Sequence, residues 1–95
     1  MTLSLAGHAL DLDDLSLRID GREVEIGVTA RALLERLAAE PGRVVSREDL
    51  LVVLPSGGRA GGHAVEVAMS RLRTALGDPR IVQTVVKRGY RLALD

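Results

Sequence analysis

The stretch VEVAMSRLRTALGD (65–78), with IVQTVVKRGYRL (81–92) close behind it, decides the fold that the sequence predicts. Apolar residues in the first stretch recur at helical spacing, and Gly77 followed by Pro79 is a stop signal, so we predict a helix over 63–76. Its predicted buried residues are Val65, Ala68, Met69, Leu72, Ala75 and Leu76. In the second stretch, two extended runs flank Lys87-Arg88, which predicts a terminal hairpin over 81–94 with a basic tip.

The opposite face of the 63–76 helix is predicted to be exposed. It carries Val67, an apolar residue that core packing does not require there, and Arg71 projects from its flank. The other residues of this face are His63, Glu66, Ser70, Arg73 and Thr74.

The first 28 residues alternate between apolar and polar in the manner of strands, which predicts four short strands over 3–27. The alternating apolar residues are Leu3, Leu5, Leu10, Leu12, Leu15, Leu17, Ile19, Val24 and Ile26. Asp20-Gly21 favours a type I′ hairpin turn, since glycine adopts positive φ without steric cost. An antiparallel sheet with one covered face follows.

Between sheet and hairpin, the spacing from Thr29 to Ala38 predicts a first helix that ends before Pro41-Gly42. Ser46 is placed as the N-cap of a short second helix that Pro55 closes. Residues 56–62 contain four glycines in seven positions, which predicts a surface loop. We therefore expect a three-helix core over 29–76 and a single domain over 1–95.

Composition excludes several classes of protein. The 95 residues contain no cysteine and only two distant histidines, so we predict neither a disulfide framework nor a metal site, and no cofactor. A nucleophile with a base in reach is not evident, which disfavours an enzyme. No apolar run approaches the roughly 20 residues of a membrane span, and the N-terminus lacks the pattern of a signal peptide, so we expect a cytoplasmic protein.

The net charge is zero, but its distribution is uneven. Residues 1–66 carry seven basic and eleven acidic side chains, whereas residues 67–95 carry six basic and two acidic ones. The C-terminal third is thus where an anionic partner would bind. Two other interpretations stay open at this point, namely solvated helix charges and a basic tip that prevents edge-to-edge strand pairing.

Three stretches in order resemble the OmpR/PhoB-type winged-helix domain, the effector domain of many bacterial response regulators. They are PGRVVSREDLL (41–51), which leads into the second helix, VEVAMSRLRTALGD (65–78), similar to the recognition helix, and IVQTVVKRGYRL (81–92), similar to the wing. LDLDDLSLRIDGREVEI (10–26) also has the form of the family's N-terminal sheet. The resemblance implies an α+β winged helix-turn-helix with a four-stranded antiparallel sheet, three helices and a C-terminal hairpin wing.

The resemblance further implies sequence-specific binding of double-stranded DNA for transcription regulation in a two-component system. The helix over 63–76 would enter the major groove and the wing at 86–89 would meet the minor groove. The residues expected at the DNA are Arg71, Arg73, Val67, Ser70, Thr74, His63, Glu66, Lys87, Arg88 and Arg91. An arginine can bond guanine or clamp a phosphate, Val67 suits a thymine methyl, and Glu66 is expected to position Arg73.

Further partners are implied by the same resemblance. The loop over 56–62 corresponds to the one that meets RNA polymerase in the family, and a homodimer on DNA is expected. The wing carries its charge on Lys87 and Arg88, one and two residues later than in many members. The variant DPRIVQTVVKRGYRL (78–92) resembles the DNA-binding domain of actinobacterial proteins with a uroporphyrinogen-III-synthase-like domain, which implies a regulatory or enzymatic domain outside these 95 residues. The alternative function is a winged-helix protein–protein interaction module without DNA binding.

Overall fold

The computed structural model describes residues 1–55 and 62–95, and the chain begins with an antiparallel sheet. Its strands are β1 (Thr2–Leu5), β2 (His8–Leu12), β3 (Leu17–Ile19) and β4 (Arg22–Glu23), which pair in chain order. At the turn between β3 and β4, φ is positive at both Asp20 (53°) and Gly21 (80°), as a type I′ turn requires. The predicted Asp-Gly hairpin is confirmed.

The sheet is shorter than the alternation predicted. Leu15 lies in the turn before β3 and is 96% exposed, because the Asp13 N–H donates to the Ser16 carbonyl and directs the turn outward. β4 ends at Glu23, although the Val24 N–H still donates to the Leu17 carbonyl of β3 at 2.8 Å. Ile26 lies beyond this pairing, and both side chains pack against the core. Alternation predicts which residues face the core, but it does not show where hydrogen-bonded pairing stops.

Three helices and a hairpin follow the sheet, which confirms the predicted winged helix-turn-helix class. They are α1 (Val28–Ala39), α2 (Arg47–Val53), α3 (Ala64–Leu76), a 3-10 turn (Pro79–Ile81), β5 (Val82–Val85) and β6 (Gly89–Leu92). The Ser46 hydroxyl caps α2 by accepting the Asp49 N–H at 3.1 Å, as predicted. Gly77 ends α3 in the left-handed conformation. Of the predicted loop over 56–62, only Gly62 is among the described residues.

One aliphatic core joins the sheet, the three helices and the hairpin. Its fully buried side chains are Leu5, Leu10, Leu17, Leu33, Leu34, Leu37, Leu50, Val65, Met69, Leu72, Ile81 and Leu92. Ala75, expected in the core, is only half-buried. Within residues 1–55 and 62–95 no helix is long and apolar enough to cross a membrane.

The hairpin is attached by its backbone to the segment between α1 and α2. The Val45 N–H donates to the Tyr90 carbonyl at 2.8 Å, and the Tyr90 N–H donates back at 3.0 Å. Gly89 makes this close approach possible, because its φ is +145° and a Cβ there would overlap the Val45 carbonyl oxygen. The part of the hairpin next to its tip therefore has a fixed position beside the start of α2.

His8 connects the N-terminal sheet to the end of α3. Its Nδ1 lies 2.6 Å from an Asp20 carboxylate oxygen, and its Nε2 lies 2.9 Å from one of Asp78. These hydrogen bonds, that to Asp20 first, raise the pKa of His8 above its ordinary value. Asp78 also pairs with Arg80 at 2.7 Å, and the Arg80 and His8 contacts hold the pKa of Asp78 well below its usual range.

Candidate nucleic-acid interface

The solvent-facing side of α3 combines one apolar and several polar residues. Val67 is 48% exposed, and Arg71 is exposed with no hydrogen bond or ion pair of its side chain within the described part of the chain. Ser70 and Thr74 are also exposed, and the Thr74 hydroxyl donates to the Ser70 carbonyl at 3.0 Å. His63 stands just before the helix with its ring in solvent. These residues present an open face on which, among residues 1–55 and 62–95, the Arg71 guanidinium has no partner.

Arg73 differs from Arg71 in where its guanidinium lies. Its Nε and Nη2 donate to the Val82 carbonyl at 3.2 and 2.9 Å, and Nη2 also donates to the Thr84 hydroxyl at 2.7 Å. Its Cζ stands 5.7 Å from the centre of the Tyr90 ring, within range of a cation–π contact. The side chain is half-buried at the base of the hairpin, although helical spacing placed it on the exposed face.

Glu66 does not position Arg73, and that prediction is wrong. Its carboxylate accepts from Arg47, with Nε to Oε2 at 2.8 Å and Nη2 to Oε1 at 3.1 Å. The physical reason is distance along the helix, since Glu66 lies in the first turn of α3 and Arg73 about two turns later, roughly 10 Å along the axis. Hydrogen bonding to Arg47 lowers the pKa of Glu66, which stays ionised.

Arg47 is the residue of this site that the sequence analysis missed. It begins α2, and its guanidinium also donates to the Gly62 carbonyl, just before α3. The sequence did contain an indication of this role. A cation at the first position of a helix is unfavourable next to the positive end of the helix dipole, so an acidic partner for Arg47 could be expected. Glu66, nineteen residues later, is that partner.

The hairpin tip presents Val86, Lys87 and Arg88 to solvent. The Arg88 N–H donates to the Val85 carbonyl at 2.9 Å, and Lys87 adopts a positive φ of 63° within this turn. On the flank of the hairpin, Arg91 Nε donates to Gln83 Oε1 at 2.6 Å.

The tip and the start of α2 face one another. Arg47, Lys87, Arg88 and Tyr90 all line one cavity of about 280 Å³. Arg47, at one wall of this cavity, is also bonded to Glu66 in the first turn of α3. The cavity beside the tip is lined by Lys87 and Arg88 together with Glu48. Arg71 and Val67 instead line a groove between α3 and the start of α1.

Residues 21–92 match the family model described as "Transcriptional regulatory protein, C terminal". The chain belongs to this family. The chain is similar to two curated relatives: the transcriptional regulatory protein CseB of Streptomyces coelicolor, 38% identical over 91 residues, and the phosphate regulon transcriptional regulatory protein PhoB of Escherichia coli, 40% identical over 92 residues. These alignments cover 95% and 90% of this chain, but only 38% and 40% of the relatives. The chain thus spans about two fifths of the length of these relatives.

A solved structure agrees with this family membership. The fold superimposes on the Klebsiella pneumoniae RstA DNA-binding domain, in complex with the RstA box, with a TM-score of 0.75 and 28% sequence identity. The match covers 97% of this chain and 96% of that one. The predicted OmpR/PhoB-type resemblance is confirmed, whereas the suggested link to a uroporphyrinogen-III-synthase-like domain stays a prediction.

Proposed function

We propose that this chain binds a specific double-stranded DNA sequence in the cytoplasm and thereby regulates transcription, without enzymatic activity. The observation that carries the proposal is the open α3 face with Val67 and Arg71, together with a hairpin tip that carries two exposed cations. A helix of this kind fits the major groove, and a basic hairpin beside it reaches the phosphates or the minor groove. The DNA complex of the RstA domain, which has the same fold, supports this arrangement.

On α3, we assign base contacts to Arg71 and Val67. They are four residues apart and so lie on one side of the helix, about 6 Å apart along its axis, which corresponds to nearly two base-pair steps of about 3.4 Å each. Arg71 would donate two hydrogen bonds to a guanine, and Val67 would pack on a thymine methyl. Ser70, Thr74 and His63 would bond phosphates or base edges from the same face.

On the hairpin, Lys87, Arg88 and Arg91 are proposed to contact the DNA backbone. Lys87 and Arg88 are exposed at the tip, whereas the Arg91 guanidinium donates a hydrogen bond to Gln83. Backbone contacts strengthen binding to all sequences alike, and each makes the affinity more dependent on salt. The wing would therefore supply affinity and α3 would supply selectivity.

The test selects bound sequences from a random DNA pool and measures affinity across a salt series. Arg71→Ala should weaken specific binding by about 1–3 kcal/mol and relax the preference at one base position. Lys87→Ala should weaken all sequences equally and reduce the slope of log affinity against log salt by about 0.9. Arg18→Ala, on an exposed position of β3, is the matched control and should bind as the wild type does.

Three outcomes would contradict the proposal. If Arg18→Ala and Arg71→Ala change the DNA affinity equally, the proposed contact of α3 with the DNA bases is wrong. An affinity for DNA that does not depend on salt would contradict the phosphate contacts of the hairpin, and the absence of DNA binding would favour the alternative, a protein–protein interaction module.

For the whole protein we propose a homodimer on DNA, a regulatory or enzymatic domain elsewhere in the chain, and contact with RNA polymerase through residues 56–62. Support comes from the family and from the relatives, which are more than twice as long as this chain. Deletion of residues 57–61 should abolish activated transcription and leave DNA affinity and folding unchanged. Activation that survives this deletion would contradict the polymerase contact.

A further inference from the structure

We propose that Arg73 is a positioning residue that fixes the wing relative to α3 and does not itself contact DNA. This inference rests on the DNA-binding function proposed above and divides the two arginines of α3 between two tasks. Arg71 would contact the DNA, whereas Arg73 would hold the hairpin at the distance and angle from which both elements reach the double helix together.

The contacts of Arg73 span both strands of the hairpin. Val82 and Thr84 are two residues apart on β5, and Thr84 is paired directly across the ladder with Tyr90 of β6. The guanidinium donates to both β5 residues and lies against the Tyr90 ring. A rotation of the hairpin about its own axis would break all of these contacts at once.

A second path connects the hairpin to the other end of α3. Tyr90 exchanges two backbone hydrogen bonds with Val45, and Arg47, two residues after Val45, is bonded to Glu66. Contacts therefore run in a closed circuit from α3 through Arg73 to the hairpin, on to the start of α2, and back to α3. The two attachments together restrict the movement of the hairpin more than either one alone, so the wing and α3 form one preorganised surface.

Preorganisation of this kind affects binding in a characteristic way. A wing that is already in place loses little conformational freedom when DNA binds, whereas a loosened wing must be ordered first. Without Arg73, the tip cations would contribute less to affinity. A direct phosphate contact by Arg73 would instead be independent of the tip, and its loss would simply add to theirs.

The first experiment uses the free protein and needs no DNA. In Arg73→Gln, amide hydrogen exchange at Tyr90, bonded to Val45, and at Arg91, paired with Gln83, should become about tenfold faster or more, since charge-assisted hydrogen bonds that hold the hairpin are lost. Exchange should be unchanged in Arg71→Gln, which is the matched control on the same helix. Unchanged exchange in Arg73→Gln would overturn the positioning role.

The second experiment is a double-mutant cycle on the selected DNA. It compares Arg73→Gln, the paired change Lys87→Ala with Arg88→Ala, and the combination of all three. We expect the tip substitutions to cost several-fold less affinity in the Arg73→Gln background than in the wild type. The same cycle with Arg71→Gln should be additive. Additivity for Arg73 would overturn the proposal and indicate a direct contact.

Arg73→Lys gives a further distinction and guards against a misfolded glutamine variant. Lysine keeps the positive charge, so a variant whose residue 73 contacts a phosphate would keep most of its DNA affinity. Lysine lacks the planar guanidinium, however, and cannot bond Val82 and Thr84 at the same time. We expect the lysine variant to lose the coupling to the tip, and retained coupling would contradict the proposal. If the wild type selects no DNA sequence at all, the DNA-binding proposal fails, while the exchange comparison still decides whether Arg73 holds the wing.

Discussion

Replacement of Gly89 by alanine should destabilise the protein more than the same change at Gly21. Both glycines have positive φ, +145° and +80°, so alanine is strained at both positions. The surroundings differ. At Gly21 nothing lies within 4 Å of the added methyl, whereas at Gly89 it would overlap the Val45 carbonyl oxygen, with the Val45 carbon at 2.8 Å and the Ser46 Cα at 3.0 Å.

The expected size follows from what must move. The Gly89 methyl has backbone on its far side, so relief requires separating Tyr90 from Val45 and losing their two hydrogen bonds. Each bond contributes about 0.5–1.5 kcal/mol, and the backbone strain adds about 1–3 kcal/mol. We therefore expect a loss of about 2–6 kcal/mol for Gly89→Ala and only the strain component for Gly21→Ala. A domain of this size is stable by roughly 5–14 kcal/mol, so the first change takes a large share.

Urea unfolding followed by circular dichroism measures both variants, and their free energies of unfolding are compared directly. Thermal unfolding provides a second measure, in which 1 kcal/mol shifts the midpoint by about 4–8 °C. Equal losses for the two variants would refute the reasoning, because they would mean that the contact with Val45 does not constrain the hairpin.

Three further outcomes follow from the packing and the charges. Leu72→Ala, in the middle of the core, should lower the free energy of unfolding by about 2–5 kcal/mol in the same urea assay. Ser46→Ala should cost about 1 kcal/mol through loss of the α2 cap, and Ser46→Asp should restore it. The stability that His8 provides over His8→Gln should be fully present below its unfolded-state pKa of 6.5 and should fall as pH rises through its raised folded-state pKa, as pH-dependent unfolding would reveal. The lowered pKa values of Asp20 and Asp78 add a second loss as pH falls below 3.8, so a difference that stays constant with pH would contradict the His8 contacts.

Periodicity was sufficient to predict the helices and the hairpin. The predicted helix over 63–76 is α3 (Ala64–Leu76), because its apolar stripe and the glycine stop at Gly77 are properties of neighbouring residues. Strand ends were harder to predict, as Leu15 shows. Leu15 continues the alternating apolar pattern of a strand. Whether it pairs with a neighbouring strand depends on a turn hydrogen bond between Asp13 and Ser16.

In the candidate site too, the sequence predicted what neighbouring residues determine and did not predict what distant residues determine. Spacing correctly predicted the exposure of Val67 and Arg71 on α3. It could not predict that Arg73 turns to the hairpin, since a long side chain on the border of a helix face follows whichever acceptor lies in reach. Nor could it predict the pairing of Glu66 with Arg47, which requires the packing of α2 against α3. The cation at the start of α2 was nevertheless an indication in the sequence that Arg47 has an acidic partner.

The hydrogen bonds of the hairpin continue into the N-terminal sheet, and this continuity has a consequence for the order in which the protein opens. The Ala6 N–H donates to the Ala93 carbonyl at 3.0 Å, and the Ala93 N–H donates to the Ile81 carbonyl at 2.9 Å. The Asp95 N–H extends the connection by donating to the Ser4 carbonyl at 3.0 Å. Segments joined in this way tend to unfold as one cooperative unit. The first strand of the protein and the segment after its last strand should therefore open together, although some ninety residues separate them along the chain.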